Sequence, residues 1–351
     1  MDMKKKRVLV AMSGGVDSSV AAAILKEQGY EVIGATMKIW PEEYCGKHKE
    51  KSCCSLNDIE DAKRVCDVLG ISHYVLNFEK VFKKEVIDYF SREYLLGRTP
   101  NPCIICNEKI KFGSLLKKAE ELECDFVSTG HYAMIEKNGA LRLKESVDKA
   151  KDQSYVLFSL PHIDKVLLPL GGLDKQSVRN KAKELGLKVH EKKDSQEICF
   201  VLDDDYAKFI KKEPEKGDII DSNNKIMGSH NGFWNFTIGQ RRGLGIAHKT
   251  PLYVIKIKQE ENEVVVGDFS ETKKKRFIVK DVNWFSNKAE EAEVKIRYSH
   301  KKARASLKET KDGDVEIEFN QEQEAITPGQ AAVFYDGEYV LGGGWIDKVF
   351  G

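Results

Sequence analysis

Apolar and polar residues follow two different periods along the first half of the chain. Short apolar runs predict strands that are buried on both faces, as in a parallel sheet. These strands are predicted at residues 7–12, 31–37, 73–78 and 125–133. Between them, apolar residues recur every three or four positions, which predicts helices with one buried face. These helices are predicted at residues 18–29, 55–70, 81–97 and 110–123. Strands that alternate with helices predict an α/β fold with a doubly wound parallel sheet.

The pattern changes after about residue 205. Residues 216–246 are rich in Gly, Asn and other turn residues, and from about residue 250 short strand-like runs are separated by Asn, Asp and Gly. Regular strands without helices predict a small antiparallel barrel or sandwich. The sequence therefore predicts three domains, at residues 1–205, 206–270 and 271–351.

Composition and charge restrict the class of protein. The chain has 351 residues and a formal net charge of +1, so any binding of nucleic acid depends on local basic runs such as residues 273–276 and 301–304. Such a run alone is more often a solvated surface. The sequence has no stretch of 18 apolar residues, which predicts no membrane-spanning helix. We therefore expect a cytoplasmic protein whose eight cysteines are reduced rather than joined in a disulfide framework.

The loop after the first strand has the composition of an anion-binding site. Ser13, Gly14 and Gly15 follow the strand, and Asp17 and Ser18 open the first helix. The glycines leave room for backbone N–H groups to approach an anion, and the start of the helix adds the positive end of its dipole. The loop lacks the lysine of a Walker A sequence and the spacing of a dinucleotide fingerprint. A carboxylate inside an anion site requires a cation, which predicts Mg²⁺ between Asp17 and a phosphate.

The motif Ser-Gly-Gly-x-Asp-Ser resembles the PP-loop of the ATP pyrophosphatase superfamily. The resemblance implies that ATP is split between its α and β phosphates, with the nucleotide at the carboxyl ends of the strands. The positions that it assigns to ATP are Ala11, Met12, Ser13, Gly14, Gly15, Val16, Asp17, Ser18, Met37 and Gly130. A turn that merely needs glycine is the weaker interpretation, because strand, loop and helix follow in the required order.

A Cys-x-x-Cys pair, Cys103 and Cys106, raises the question of thiol chemistry. The prolines around it predict a stiff loop over residues 98–103. Cys106 is then expected near the start of the next helix, where the helix dipole stabilises a thiolate. The pair alone is compatible with a zinc half-site, a dithiol couple, an iron–sulfur ligand set or a nucleophile. Cys199, between a polar run and an apolar residue, is a third candidate thiol.

The remaining cysteines give less specific signals. Cys66 and Cys124 lie at apolar positions and are expected in the core. Cys45, Cys53 and Cys54 lie in an insertion after the second strand, which is best interpreted as a loop. A structural zinc site is not favoured, because adjacent cysteines have awkward geometry for supplying the two missing ligands.

Motifs along nearly the whole chain resemble those of the tRNA-specific 2-thiouridylases. From about residue 6 to the C-terminus they read MSGGVDSS, GRTPNPCIICNEKIKFG, STGHYA, KDQSYVLFSL, KDSQEICF, FWNFTIGQRRGLGI and TPGQAAVFYDGEYVLGGGWI. The resemblance implies a PP-loop catalytic domain, a small middle domain that contacts tRNA and a C-terminal β-barrel. It also implies that ATP adenylates the C2 oxygen of the wobble uridine of tRNA, and that sulfur then displaces AMP.

The resemblance also assigns roles to individual residues. Cys199 corresponds to the cysteine that carries sulfur as a persulfide, and Cys106 to the partner that forms a disulfide with it. The positions assigned to tRNA are Asn101, Pro102, Cys103, His131, Lys151, Asp152, Gln153, Arg297, Tyr298 and Gln330. Taken alone, each of these would be an ordinary surface residue. The expected partners are tRNA and a sulfur-donor protein, such as a cysteine desulfurase or a sulfur carrier.

Position 103 departs from a common form of the family. Many relatives have Asp where this chain has Cys103, so a proton transfer by that carboxylate is not implied here. In one mechanism, Cys199 carries a persulfide that Cys106 resolves. In the other, Cys103, Cys106 and Cys199 bind a [4Fe–4S] cluster whose fourth iron presents sulfide. The three thiols favour the cluster slightly.

Two other functions explain fewer of these motifs. A PP-loop ligase that adenylates a small acid needs neither the three cysteines nor an all-β C-terminal part. A metal-binding, tRNA-binding protein without ATP turnover is disfavoured by the intact loop from Ser13 to Ser18.

Overall fold

The computed structural model describes residues 5–40, 56–192, 198–201, 209–210, 212–285 and 287–350. The chain divides into two units. The first contains residues 1–87, 102–205 and 338–340, and the second contains residues 88–101, 206–337 and 341–351. Cys45, Cys53 and Cys54 lie outside the described residues, so the loop predicted around them stays a prediction.

Helices are concentrated in the N-terminal half and strands in the C-terminal half. The helices of the described residues are α1 Val16–Glu27, α2 Leu56–Leu69, α3 Glu79–Phe82, α4 Asp88–Leu95, α5 Pro102–Ile105, α6 Leu115–Glu121 and α7 Lys175–Glu184. Two π-helical segments, Lys83–Ile87 and Cys106–Ser114, connect α3 to α4 and α5 to α6. The strands are β1 Arg7–Ala11, β2 Glu31–Lys38, β3 Ser72–Asn77, β4 Phe126–Ser128, β5 Ala133–Asn138, β6 Ala140–Glu145, β7 Val166–Leu167, β8 Gly217–Ile220, β9 Ile226–His230, β10 Tyr253–Lys258, β11 Glu263–Gly267, β12 Lys273–Trp284, β13 Glu291–Lys295, β14 Ala303–Glu309, β15 Val315–Glu324, β16 Ala331–Asp336 and β17 Tyr339–Val349.

The first unit is built on the parallel sheet that the sequence predicts. The strand order is β3-β2-β1-β4-β7, and β1 pairs in parallel with β2 on one side and with β4 on the other. Val8, Leu9 and Val10 of β1 are fully buried, as expected for a central strand that is covered on both faces. Val20 of α1 and Val65 of α2 belong to the same core as Val8 and Val10, so these helices cover one face of the sheet.

The apolar run at residues 125–133 forms two strands rather than the single strand predicted. β4 pairs with β1 only as far as Ser128, and β5 begins at Ala133 as the first strand of an antiparallel hairpin with β6. Residues 129–132 therefore form a loop at the carboxyl end of β4. In a parallel sheet this edge is where ligands bind.

The second unit contains the antiparallel barrel predicted for the C-terminal part. The strands follow the order β12-β15-β14-β13-β16-β17, and pairing of β12 with β17 closes the barrel. The interior is filled by side chains such as Phe277, Ile317, Phe334 and Ile346, all fully buried. A separate small sheet has the order β10-β11-β8-β9. Within the described ranges, no helix has both the length and the apolar composition needed to cross a membrane.

Candidate active site

The two glycines of the loop after β1 have different structural roles. Gly14 has a φ of +70°, and a Cβ atom at this position would lie 2.4 Å from the backbone carbonyl oxygen of Asp58 in α2. Gly15 is extended, with a φ of −98° and a ψ of 166°, and immediately precedes α1. The backbone therefore requires glycine at Gly14, both for its conformation and for the approach of α2, but not at Gly15.

Hydroxyl groups hold the loop in shape from within. The Oγ atoms of Ser18 and Ser19 donate to the carbonyl oxygen of Gly15 at 3.2 and 2.8 Å. The backbone N–H of Ser13 donates to Ser18 Oγ at 3.2 Å. The N-cap residue of α1, Gly15, has no side chain that could accept a hydrogen bond from the first turn. An uncapped helix N-terminus beside a glycine loop is an arrangement that binds phosphate.

The other positions assigned to ATP lie around this loop. Ala11, Met12 and Val16 are buried, whereas Met37 is half-buried near the end of β2. The buried side chains pack in the core, which leaves only their backbone for contact with a ligand. Met37 lies at the same carboxyl edge of the sheet as the loop, because β2 is parallel to β1.

Asp17, in the first turn of α1, is paired with a lysine that sequence reasoning missed. Lys175 Nζ donates to both carboxylate oxygens of Asp17 at 2.8 Å, and the hydroxyl of Tyr132 donates to Oδ1 at 2.7 Å. Lys175 is the first residue of α7 and is separated from Asp17 by 158 positions in the sequence. No local motif joins the two residues, so only the fold reveals the pair. Lys175 thus places a positive charge beside Asp17, and the Mg²⁺ expected there stays a prediction.

The loop of residues 129–132 lies against the start of α1. A Cβ atom on Gly130 would lie 2.7 Å from the carbonyl carbon of Asp17 and 2.7 Å from the backbone nitrogen of Ser18. A larger residue would force the two segments apart. Gly130 therefore lies beside the anion loop, as expected from its position at the end of a strand.

His131, the next residue, is largely buried and electrically neutral at pH 7. Its Nδ1 atom lies 2.7 Å from the hydroxyl of Thr129, and its Nε2 atom lies 3.4 Å from the ammonium of Lys111. Burial, and then the charge of Lys111, hold the pKa of His131 well below its usual value. The ring can therefore orient neighbouring groups but does not supply a positive charge.

Gln153 holds the same loop in place, and Asp152 next to it is buried. Gln153 Oε1 accepts a hydrogen bond from the backbone N–H of Tyr132 at 2.9 Å, and the backbone N–H of Gln153 donates to the carbonyl of Tyr132 at 2.8 Å. The buried carboxylate of Asp152 accepts from the hydroxyl of Ser154 at 2.7 Å. Burial raises the pKa of Asp152, although its hydrogen bonds oppose this. Asp152 thus has a structural role in the fold, and its contact with tRNA stays a prediction.

The Cys-x-x-Cys pair lies on a helix that begins earlier than predicted. α5 begins at Pro102, and the helical path continues through the π-helical segment into α6. The prediction of a loop through residue 103 is wrong, because proline is well tolerated at the first position of a helix, where its missing N–H loses no helical bond. Cys103 occupies the first turn and is exposed, whereas Cys106 is buried in the second. Stabilisation by the helix dipole therefore applies to Cys103 more than to Cys106.

The other thiols have different environments. Cys199 is half-buried in a turn closed by a 2.9 Å hydrogen bond from the backbone N–H of Val201 to the carbonyl of Ile198. Cys66 and Cys124 are buried in the core as predicted. Burial raises the pKa of Cys66 to about 12 and also raises that of Cys124. These two thiols are therefore unreactive at neutral pH.

A metal cluster would need three or more converging ligands. In the part of the chain that the structure describes, no group of three His, Cys, Asp or Glu residues is arranged to hold a metal ion. Cys103, Cys106 and Cys199 are all in that part but do not form such a group. Their arrangement therefore does not fit the [4Fe–4S] cluster considered from the sequence.

Gln330, in the second unit, supports the chain that leads to the cysteine pair. Its Nε2 atom donates to the carbonyl oxygens of Thr99 and Pro100 at 2.9 and 3.2 Å. Asn101 follows directly and is half-buried. The side-chain amide of Gln330 thus fixes the backbone beside Asn101, which is a structural role that the sequence did not reveal.

Arg297 and Tyr298 lie together in the connection after β13. Tyr298 is exposed over 46% of its surface, and the ammonium of Lys295 lies 5.8 Å from the centre of its ring. Arg297 donates to the carbonyl of Glu324 at 3.3 Å. An exposed aromatic ring with neighbouring positive charge suits the stacking of an unpaired nucleotide base.

Lys192 is a second residue near the site that the sequence did not indicate. Its ammonium donates to the carbonyl of Gly14 at 3.1 Å and to two carboxylates of α2 at 2.6 and 2.9 Å. The backbone of the same segment is also held by α7, because the guanidinium of Arg179 donates to the carbonyls of residues 190 and 192 at 2.5 and 3.1 Å. The backbone that leads towards Cys199 is therefore anchored on the anion loop.

Family models match nearly all of the chain in three consecutive parts. A model described as the tRNA methyl transferase HUP domain matches residues 6–203. A model described as the tRNA methyl transferase PRC-barrel domain matches residues 204–268. One described as the aminomethyltransferase beta-barrel domain matches residues 274–346.

Curated relatives are similar over the full length. The chain is 51% identical to the tRNA-specific 2-thiouridylase MnmA of Acetivibrio thermocellus over 358 residues, which cover 98% of this chain and 100% of the relative. It is 50% identical to the tRNA-specific 2-thiouridylase MnmA of Clostridioides difficile, over 98% of each chain. A solved structure of a 4-thiouridine synthetase–RNA complex with bound ATP is similar over 54% of this chain and 43% of its own, with 22% identity and a TM-score of 0.39.

Proposed function

The chain belongs to the tRNA-specific 2-thiouridylase family, and from this premise we propose how its residues carry out the reaction. It is an enzyme, a sulfurtransferase that uses ATP to form 2-thiouridine in tRNA. We assign the modification to the wobble uridine, whose C2 oxygen is adenylated before sulfur replaces it.

ATP binds at the loop between β1 and α1. The observation that carries this proposal is the N-terminus of α1 at the carboxyl edge of the parallel sheet, where the N-cap residue Gly15 has no side chain to cap the helix. Backbone N–H groups and the hydroxyl of Ser13 donate to the phosphates. The uridine C2 oxygen attacks the α-phosphorus. The bond from this phosphorus to the oxygen that bridges it to the β-phosphate breaks, and its electron pair leaves with pyrophosphate.

The ligands present also fit a magnesium ion that enters with ATP. Mg²⁺ is held in such sites by one or two carboxylates together with phosphate oxygens and water, so Asp17 alone can provide the protein ligand. When bound, the ion neutralises charge on the phosphates. Asp17 would then exchange part of its contact with Lys175 for the ion.

We assign the sulfur to a persulfide on Cys199 rather than to a metal cluster, since the arrangement of the described thiols gives no ligand set for a cluster. The terminal sulfur attacks C2 of the adenylated uridine, and AMP leaves with the electrons of the broken C–O bond. The thiolate of Cys106 then attacks Sγ of Cys199. This forms a Cys106–Cys199 disulfide and leaves the sulfur on uridine as 2-thiouridine. A thiol reductant and a sulfur-donor protein must then restore Cys199.

The tRNA contacts assigned from the sequence have different degrees of structural support. The exposure of Tyr298 and the charge beside it support stacking of an anticodon base. His131, Asp152 and Gln330 form hydrogen bonds within the protein. We therefore propose that these three act mainly by shaping the loops that receive tRNA.

A pyrophosphate-release assay tests this function. Purified protein is incubated with ATP and a tRNA transcript that carries a wobble uridine, and a transcript with a wobble cytidine is the matched control. We expect release only with the uridine transcript, and Asp17→Ala should abolish it. Release with a small acid in the absence of tRNA would instead identify an adenylating ligase. Binding of tRNA without any release would identify a binding protein.

A further inference from the structure

The carboxylate of Asp17 presents an electrostatic problem in the ATP site. It lies in the first turn of α1, where the phosphates of ATP would also bind. A negative charge a few ångströms from a triphosphate weakens binding unless a cation lies between them or beside them. A Walker A loop contains a lysine for this purpose, but residues 12–19 of this chain contain no basic residue.

Lys175 supplies a positive charge at this position from a remote part of the chain. Its ammonium contacts both oxygens of Asp17 at 2.8 Å and lies 5.6 Å from the centre of the Tyr132 ring. The side chain of Lys175 is 13% exposed and that of Asp17 is 32% exposed. The pair is therefore partly sheltered from bulk water, where screening would weaken it, and the carboxylate of Asp17 keeps part of its surface exposed.

The backbone of Lys175 is fixed independently of Asp17. Its N–H donates to a carboxylate oxygen of Asp148 at 3.0 Å, and Asp174 caps α7 by accepting from the backbone N–H of Ser177 at 2.8 Å. The first residue of α7 therefore holds its ammonium beside Asp17 from a backbone that is already fixed by other hydrogen bonds. A side chain held in this way loses little further freedom when a ligand binds.

We propose that Lys175 is the counter-charge that allows the triphosphate of ATP to bind beside Asp17. It performs, from the start of α7, the task that the loop lysine performs in Walker A proteins. The same ammonium stabilises the negative charge that pyrophosphate gains when the bond to the α-phosphorus breaks. The role rests on the proposed function, since it presupposes ATP at this loop.

Direct measurement of ATP binding in the presence of EDTA separates the effect of Lys175 on ATP affinity from the effect of Mg²⁺. Isothermal titration calorimetry at low ionic strength compares the wild type with Lys175→Met, and Lys183→Met is the control. Lys183 lies on the same helix and is exposed. We expect Lys175→Met to weaken ATP binding at least about fivefold, the effect of a unit charge 4 Å away even in bulk water. Lys175→Arg should retain most of the affinity, and Lys183→Met should not change it.

A double variant distinguishes a counter-charge from a merely structural ion pair. In Asp17→Asn/Lys175→Met, both the repulsive carboxylate and its cation are absent, so ATP should bind more tightly than to Lys175→Met alone. Equal ATP affinity of Lys175→Met, Lys183→Met and the wild type would overturn the role. So would a double variant that binds no better than Lys175→Met. If the wild type binds no ATP with or without Mg²⁺, the proposed ATP site itself is wrong.

Discussion

The two adjacent glycines of the ATP loop should respond in opposite ways to alanine. In Gly14→Ala, a φ of +70° costs a non-glycine residue roughly 1–2 kcal/mol. The new Cβ atom would also lie 2.4 Å from a backbone oxygen of Asp58, which cannot rotate away. Overpacking of this kind costs about 1–3 kcal/mol. Alanine also restricts the conformations of the unfolded chain, which stabilises the folded protein by up to about 1 kcal/mol. The free energy of unfolding should therefore fall by about 1–5 kcal/mol.

Gly15→Ala is the matched control, one position away in the same motif. Gly15 is extended, and its Cβ atom would lie 3.4 Å from Ser13 Oγ, which is an ordinary contact. The free energy of unfolding should stay unchanged or rise by about 0.4–1 kcal/mol, because alanine reduces the conformational entropy of the unfolded chain. Urea unfolding followed by circular dichroism measures both variants, with the midpoint and slope compared. If Gly14→Ala is as stable as Gly15→Ala, the close approach of α2 to Gly14 does not exist in solution.

Three further outcomes follow from the site. Cys199→Ala should still release pyrophosphate with tRNA but form no 2-thiouridine, measured by mass spectrometry of digested tRNA; 2-thiouridine from this variant would remove Cys199 from the mechanism. Iodoacetamide at pH 8 should alkylate exposed Cys103 well before Cys66, whose pKa is raised to about 12 by burial, and equal rates in peptide mapping would contradict these environments. Because the folded-state pKa of His131 is lowered, its contribution to stability is complete above pH 6.5 and is lost as the pH falls. Between pH 7.5 and 5.5 the free energy of unfolding, measured in urea, should therefore fall by up to about 1.4 kcal/mol more for the wild type than for His131→Asn. Equal decreases in the two proteins would contradict a neutral buried ring.

The fold was predictable where local pattern and tertiary structure agree. β1 and α1 are a buried apolar run followed by a helical period, and the C-terminal barrel strands alternate between apolar and polar residues. The start of α5 was not predictable from the two prolines, because a proline disfavours a helix interior but favours a first turn. Only the surrounding structure decides which of these effects applies at Pro102.

The candidate site was predictable only in its local parts. The loop from Ser13 to Ser18 is contiguous, so the physical requirements of an anion site can be read from its residues. The pairing of Lys175 with Asp17 depends instead on where α7 packs in the first unit, and no spacing in the sequence encodes that. The burial of Asp152 likewise follows from its hydrogen bonds with Ser146 and Ser154, which a motif assignment does not show.

The contacts of α7 have a consequence for how this enzyme can be altered. One helical turn separates Lys175, which contacts the ATP loop, from Arg179, which holds the chain that leads towards Cys199. Lys192, on that same chain segment, in turn donates to the carbonyl of Gly14 in the ATP loop. A deletion of one residue between Lys175 and Arg179 would rotate one side chain about 100° around the helix axis relative to the other. Chimeras between relatives should therefore exchange α7, the ATP loop and residues 188–192 together.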